Sequence, residues 1–229
     1  MNLLYQLTNF LIGTCLASHA CVIAERAGKE DFIFTRSKCT NCKQQLSLLD
    51  EIPLVSYLML KGRCRYCKVH IPCEYFLIEF LGGFAFCKIN FSSISGMNTA
   101  LVLFSLLLAA ISDYQRKEFD VVFIVPAFII ATLHILLNFQ KISSIDLIHF
   151  CPIFALFIYE ILKNNLGSGD LLVYLILALY FSPQFANLAF LVASLILVIL
   201  FKTAELDRKA SVAFIPFIYI GVITQLLCK

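Results

Sequence analysis

Residues 39–42 read Cys-Thr-Asn-Cys, and residues 64–67, after 21 intervening positions, read Cys-Arg-Tyr-Cys. Four thiolates with this spacing can close a tetrahedral shell around one zinc ion. Two disulfides, or four unrelated thiols, are the alternatives. The compartment of the loop decides between them, because a reducing cytosol disfavours disulfides. The pattern therefore predicts a structural zinc site of Cys39, Cys42, Cys64 and Cys67 if the loop of residues 25–71 faces the cytosol.

The composition around this loop indicates a membrane protein. Hydrophobic residues make up 60% of the chain and charged residues 14%, and the mean hydropathy is +0.87. Soluble domains are about half apolar and a quarter charged, so the chain is expected to span a lipid bilayer several times. No stretch combines a basic surface with interleaved aromatic residues, which excludes nucleic acid as a predicted partner.

Apolar runs separated by short polar turns predict about eight transmembrane helices. The run at 170–182 is short and, with its successor, is also compatible with one long helix kinked at Pro183. The runs cover residues 3–24, 72–91, 97–112, 121–139, 145–162, 170–182, 185–201 and 211–227. The sequence thus predicts an all-α polytopic membrane protein with three parts: a first transmembrane helix (1–24), a cytosolic tetracysteine zinc loop (25–71), and a membrane catalytic bundle of seven helices (72–229).

The distribution of basic residues favours eight spans over seven. With eight, 15 of the 18 Lys and Arg residues lie on one side, in the loops at 25–71, 113–120, 163–169 and 202–210. Merging residues 170–201 into one span leaves 12 Lys and Arg residues on that side of the membrane and 6 on the other. The positive-inside rule therefore places the cysteine loop in the cytosol, where zinc is the expected ligand of the four thiols.

Two acidic residues adjoin apolar runs on the same predicted side of the membrane. Asp113 ends the third run, and Asp170 begins the sixth within Gly167-Ser168-Gly169-Asp170. Paired carboxylates can share a proton, so that one activates water while the other polarises a carbonyl. Gly167 and Gly169 would let the backbone turn tightly and approach an extended peptide. The plainer alternatives are a helix N-cap for Asp170 and a solvated span end for Asp113.

A dense run of residues resembles a known family. It contains, in order, Ser37 to Cys42, Leu46, Asp50-Glu51-Ile52-Pro53, Ser56-Tyr57-Leu58, Gly62 to Cys67, Ile71-Pro72, Tyr75 and Glu79. Together with Asp113 and the motif ending at Asp170, this run resembles the type IV prepilin peptidases, membrane aspartic proteases that also N-methylate their product. The segment at 17–26 is similar to a degraded version of the family's opening segment. The chain departs from the family at Phe119-Asp120, which lacks a proline, and at Leu172, where a basic residue is common.

The resemblance implies a prepilin leader peptidase in the bacterial plasma membrane with its active site facing the cytosol. It implies Asp113 and Asp170 as the catalytic pair, and a pilin-like precursor with a basic leader as the substrate. It further implies cleavage after a glycine and methylation of the new N-terminus from S-adenosylmethionine. The cysteine loop would help to hold the substrate or the methyl donor.

Two other functions are compatible with the residues alone. One is an ion- or proton-coupled transporter that uses intramembrane acids such as Asp146, Glu160 and Asp170. A transporter is expected to show internal repeats, and the two halves show no self-similarity. The other is a non-catalytic membrane assembly factor that uses the zinc loop only to bind a partner.

Overall fold

The computed structural model describes residues 2–27, 35–116, 120–138, 140, 143–163, 166–203 and 212–228. Within these ranges the secondary structure is helical, apart from two isolated β-bridges. The chain forms two compact units, Met1–Ile89 and Asn90–Lys229. The predicted all-α fold class is therefore confirmed.

The first unit contains two long helices with the cysteine loop between them. Its elements are α1 (Leu3–Arg26), a 3-10 helix (Leu48–Glu51), α2 (Val55–Met59) and α3 (Cys73–Phe86). Helix α1 continues to Arg26, two residues beyond the predicted boundary. Helix α3 ends at Phe86, five residues before the end of the predicted run. The chain turns there, and the side-chain amide of Asn9 on α1 donates to the carbonyls of Cys87 and Ile89.

Small residues let α1 and α3 pack with their backbones close together. A Cβ atom added to Gly13 would lie 2.6 Å from the carbonyl oxygen of Gly82, and one added to Gly82 would clash with Ala17. Helices within a membrane gain little from apolar burial, so this close van der Waals contact is a main source of their association.

In its described residues, the second unit is a bundle of six helices. They are α4 (Ile94–Arg116), α5 (Val121–Leu137), α6 (Ser144–Leu162), α7 (Ser168–Tyr180), α8 (Pro183–Thr203) and α9 (Ile215–Cys228). Helix α7 packs against α5, α6 and α8, while α9 packs against α4 and α8. Tyr174 of α7 is fully buried between Phe157 and Phe190, and its hydroxyl donates to Asn187. Helix α7 is thus central to this unit.

Among the described residues, each α-helix except the short α2 corresponds to one of the eight predicted apolar runs. Helices α1, α4, α6 and α8 are long and apolar enough to cross a membrane, whereas α5, α7 and α9 are shorter apolar helices. Helix α7 ends at Tyr180 and α8 begins at Pro183, so the two are separate helices. Proline suits the first turn of a helix, where its missing N–H has no intrahelical partner. The predicted sidedness stays a prediction, and its loop residues 28–34, 117–119, 164–165 and 204–210 lie outside the described residues.

Candidate functional site

The four cysteines of the loop meet in the first unit. Their Sγ atoms all lie within 4.8 Å of one another, and those of Cys39 and Cys67 are 3.8 Å apart. A tetrahedral shell with Zn–S bonds of about 2.3 Å has S–S edges of about 3.8 Å. Each of the chain's ten cysteines is a free thiol. The donor set therefore fits one zinc ion, and its closed four-thiolate shell fits a structural ion rather than a catalytic one.

Two matching turns present these thiols. In each turn the first cysteine N–H donates to a carbonyl five residues on, from Cys39 to Gln44 and from Cys64 to Val69. A lysine with positive φ follows each second cysteine, with φ of 59° at both Lys43 and Lys68. Bridges Lys38–Gln45 and Arg63–His70 close the turns. The sequence analysis did not identify this repeat, although both segments share the pattern basic-Cys-x-x-Cys-Lys.

The turns also set the charge of the thiols. A hydrogen bond from the backbone N–H of Val69, with another from the Asn41 amide, lowers the pKa of Cys67 to about 6. The backbone N–H of Cys42 likewise lowers the pKa of Cys39. At Cys42 the N–H of Gln44 acts in the same direction, but desolvation and the neighbouring thiols outweigh it and raise its pKa to about 11. Cys39 and Cys67 thus favour the thiolate form that a metal ligand requires. Thiolates this close together in turn favour a bound cation.

A strained turn ties the loop to α3. Leu54 has φ 60° and ψ −49°, and the N–H of Val55 donates to the carbonyl of Pro53 at 2.6 Å. This is a γ-turn in a backbone conformation that side chains rarely adopt. The Leu54 N–H donates to the Glu79 carboxylate of α3 at 2.7 Å. Glu79 therefore holds the loop in a conformation that it would not adopt alone.

The second unit brings Asp113 and Asp170 together. Asp113 lies in the last turn of α4 and Asp170 in the first turn of α7. Both are half-buried, and the two carboxyl groups are close enough for the charge of Asp113 to act on Asp170. Two acids within hydrogen-bond reach of one water molecule can activate it, and that arrangement of Asp113 and Asp170 stays a prediction. Their catalytic role stays a prediction.

The N-terminus of α9 positions one of these acids. The Ile215 backbone N–H, at the first residue of α9, donates to Oδ2 of Asp113 at 3.1 Å. The exposed amides at a helix N-terminus stabilise negative charge, so this contact favours the ionised Asp113 carboxylate. The sequence analysis did not identify Ile215, because the group involved is a backbone amide that every residue except proline carries.

Gly167 and Gly169 precede Asp170, and the backbone conformation of Gly167 differs from the one expected. Gly167 caps α7 with φ −74° and ψ 143°, values open to any residue. A Cβ atom there would meet only the Asp170 carboxylate, at 3.7 Å. The turn therefore does not need the conformational freedom of glycine at 167, which corrects that part of the expectation. Gly167 is exposed and Gly169 is buried.

The other acids have structural contacts of their own. Asp120 caps α5 by accepting from the Val122 N–H at 3.2 Å and pairs with Arg116 at 3.9 Å. Asp146 forms a capping box with Ser143 at the start of α6. Glu160 lies near the other end of α6, roughly 20 Å from Asp146 at 1.5 Å per residue. These two acids are therefore too far apart to ligate one ion together, and the transporter alternative stays untested.

Two buried hydroxyl groups near Asp113 also went unidentified from sequence. Ser112 precedes Asp113, and Tyr219 lies one helical turn after Ile215 on α9. Neither hydroxyl has a hydrogen-bond partner among the described residues. Both are almost fully buried, at 1% and 3% exposure. Serine and tyrosine are common in apolar helices, so no sequence signal distinguishes these two.

Residues 11–92 match the family model described as "Bacterial Peptidase A24 N-terminal domain". This match covers α1 from residue 11 onward, the cysteine loop and α3, and continues just beyond the first unit. No solved structure matches the chain significantly.

Curated relatives extend the similarity into the second unit. A Vibrio cholerae "Prepilin leader peptidase/N-methyltransferase" is 23% identical over 215 residues, 86% of this chain and 85% of that protein. A Myxococcus xanthus protein of the same name is 37% identical over 107 residues, 45% of this chain but 32% of that protein. An Escherichia coli "Type 4 prepilin-like proteins leader peptide-processing enzyme" is 38% identical over 91 residues, 38% of this chain and 34% of that protein. The chain therefore spans about a third of the Myxococcus xanthus and Escherichia coli proteins and most of the Vibrio cholerae protein.

Proposed function

We propose that the chain is a member of the type IV prepilin peptidase family, which its first unit and its relatives resemble, and that it is a prepilin leader peptidase of the bacterial plasma membrane. Its substrates would be pilin-like precursors, whose basic leader it removes at the cytosolic membrane face. The observation that carries this proposal is that Asp113 and Asp170, two acids 57 positions apart in sequence, lie within range of electrostatic interaction in the folded second unit. The similarity to the Vibrio cholerae enzyme over 85% of its length supports it.

We assign the two acids different roles in peptide hydrolysis. Asp113, ionised and held by the Ile215 N–H, takes a proton from a water molecule whose oxygen attacks the scissile carbonyl carbon. Asp170, protonated, donates a hydrogen bond to the carbonyl oxygen and stabilises the developing negative charge. The tetrahedral intermediate then collapses as its C–N bond breaks. The leaving amine receives a proton from the acid pair, and the leader is released with a new carboxyl terminus.

The zinc ion would be structural in this scheme. Cys39, Cys42, Cys64 and Cys67 would supply all four ligands, which leaves no open position for water or substrate. The cysteine loop would serve as a folded scaffold that helps to hold the substrate or the methyl donor. S-adenosylmethionine would supply the methyl group for the new N-terminus, and no residue of the chain is assigned to this donor.

Cleavage of a purified pilin-like precursor tests the proposal. Asparagine matches the shape of aspartate but does not ionise, so Asp113→Asn and Asp170→Asn should each abolish cleavage while zinc content and folding stay intact. Asp120→Asn is the matched control, because Asp120 caps α5. This variant should cleave normally.

Three results would contradict this proposal. Cleavage at the wild-type rate by both Asp113→Asn and Asp170→Asn would exclude the acid pair. An inactive Asp120→Asn beside an active Asp113→Asn would show that the first acid is misassigned. A well-folded wild-type chain that cleaves no pilin-like precursor would favour the non-catalytic assembly factor.

A further inference from the structure

The zinc loop exposes a cluster of large apolar side chains. They belong to the 3-10 helix, α2 and the residues between them, and each is between 41% and 78% exposed: Leu48, Leu49, Ile52, Val55, Leu58 and Met59. This set is referred to as the apolar ridge. A soluble domain rarely leaves so many large apolar side chains of one short segment in water, and such patches usually mark a binding surface.

The apolar ridge is held in a defined conformation. The 3-10 helix begins with a capping box between Ser47 and Asp50, and Asp50 is in turn paired with Arg65 at 2.7 Å. The γ-turn at Leu54 connects the 3-10 helix to α2, and Glu79 accepts its N–H. Backbone strain of this kind persists only where the surrounding structure enforces it, and it concentrates at functional sites. The surface is therefore preformed.

The charges around the apolar ridge are mostly basic. Residues 35–71 contain seven Lys or Arg and two Asp or Glu. One of the two acids, Asp50, is already paired with Arg65. An excess of basic residues around exposed apolar side chains is typical of surfaces that bind anionic lipid headgroups.

The connections of the loop fix its place beside a bilayer. Helix α1 is long and apolar enough to cross the membrane and ends at Arg26. Nine residues further on, at Thr35, the described part of the loop begins, and the side chain of Arg26 donates to the Thr35 carbonyl at 2.6 Å. The loop is thus tethered where α1 leaves the hydrocarbon.

We propose that the apolar ridge inserts into the boundary between headgroups and acyl chains of the membrane that α1 crosses, while the surrounding basic residues bind anionic headgroups. This contact would hold the zinc loop against the membrane surface. It does not depend on peptidase activity.

The chain contains no tryptophan, so a single introduced tryptophan is a specific reporter. Leu49→Trp and Met59→Trp place it on the apolar ridge, and Gln44→Trp places it on the exposed turn after Cys42 as the matched control. Each full-length variant would be reconstituted with zinc in vesicles of phosphatidylcholine and phosphatidylglycerol. A second set of vesicles would carry phosphatidylcholine brominated near the top of the acyl chain.

The proposal predicts blue-shifted emission from Leu49→Trp and Met59→Trp that brominated lipid quenches, and red, unquenched emission from Gln44→Trp. Red, unquenched emission from the two ridge variants would overturn it, because the ridge would then lie in water. Blue-shifted but unquenched emission would also overturn it, because protein and not lipid would cover the ridge. Equal quenching of all three variants would show general immersion of the loop and no specific role for the ridge. Metal content close to wild type confirms that each variant keeps its fold.

Discussion

The hydrogen bond between Ile215 and Asp113 gives the sharpest test of the proposed acid pair. Ile215→Pro removes the backbone N–H that donates to Oδ2 of Asp113. Ile215 is the first residue of α9, where proline is tolerated because the N–H has no partner within the helix. Pro216 already occupies the next position. The substitution therefore deletes one donor and should leave α9 intact.

The size of the effect follows from the chemistry of the bond. A hydrogen bond to a charged group contributes about 1.5–3 kcal/mol. At about 1.4 kcal/mol per factor of ten, its loss should lower kcat roughly 10- to 150-fold if Asp113 acts as the ionised base. KM for the precursor should change little, because the bond orients the carboxylate and does not contact the leader. Measurement of kcat and KM separately, with a purified precursor in detergent or vesicles, gives both values.

Ile215→Val is the matched control. It keeps the N–H and most of the side-chain volume, so it should retain most of the activity. Melting temperatures of both variants separate a loss of folding from a loss of chemistry. An Ile215→Pro enzyme with wild-type kcat would refute the role given to α9. An equal loss of kcat in Ile215→Val would assign the effect to side-chain packing.

Three further predictions concern the metal, the topology and helix packing. The purified chain should contain about one zinc per molecule. Joint replacement Cys39→Ser and Cys42→Ser should release it and make the loop protease-sensitive, since the loop has little core of its own; a zinc-free wild type with a stable loop would contradict this. In an otherwise cysteine-free variant, Lys209→Cys should resist membrane-impermeant thiol reagents in intact cells, and labelling from outside would exclude the eight-span topology. Gly221→Ala should destabilise the fold by about 1–3 kcal/mol, because the added Cβ would clash with the Ala189 carbonyl oxygen where α8 and α9 meet. An unchanged melting temperature would show that this contact is loose.

The features predicted well from sequence are those encoded by local patterns. Apolar runs bounded by polar turns predicted the long helices to within a few residues at most ends, because a helix satisfies its own backbone hydrogen bonds in lipid. The separation of α7 from α8 followed from the distribution of Lys and Arg. The spacing of Cys39, Cys42, Cys64 and Cys67 predicted the four-thiol cluster, since each short turn constrains two thiols and only the 21-residue connection had to fold back.

Other features exist only after the chain has folded. The matching conformation of the two cysteine turns and the strain at Leu54 depend on backbone dihedral angles that residue types do not specify. The exposure of the apolar ridge could not be predicted from the sequence either. Leucine and methionine are the residue types that usually form a buried core, so residues such as Leu48 and Met59 do not reveal that they are exposed.

By itself the sequence determined the fold class, the order of the helices, the thiol ligands and the two acids that the family resemblance selects, because each of these depends on residue type and near neighbours. Only the tertiary structure decided that the charge of Asp113 acts on Asp170 and that the Ile215 N–H is directed at Asp113. The first contact joins positions 57 apart, and the second uses a backbone amide common to nearly every residue. Such contacts arise from the packing of α4 against α9 and the position of α7 in the bundle, and no local pattern in the sequence encodes that packing.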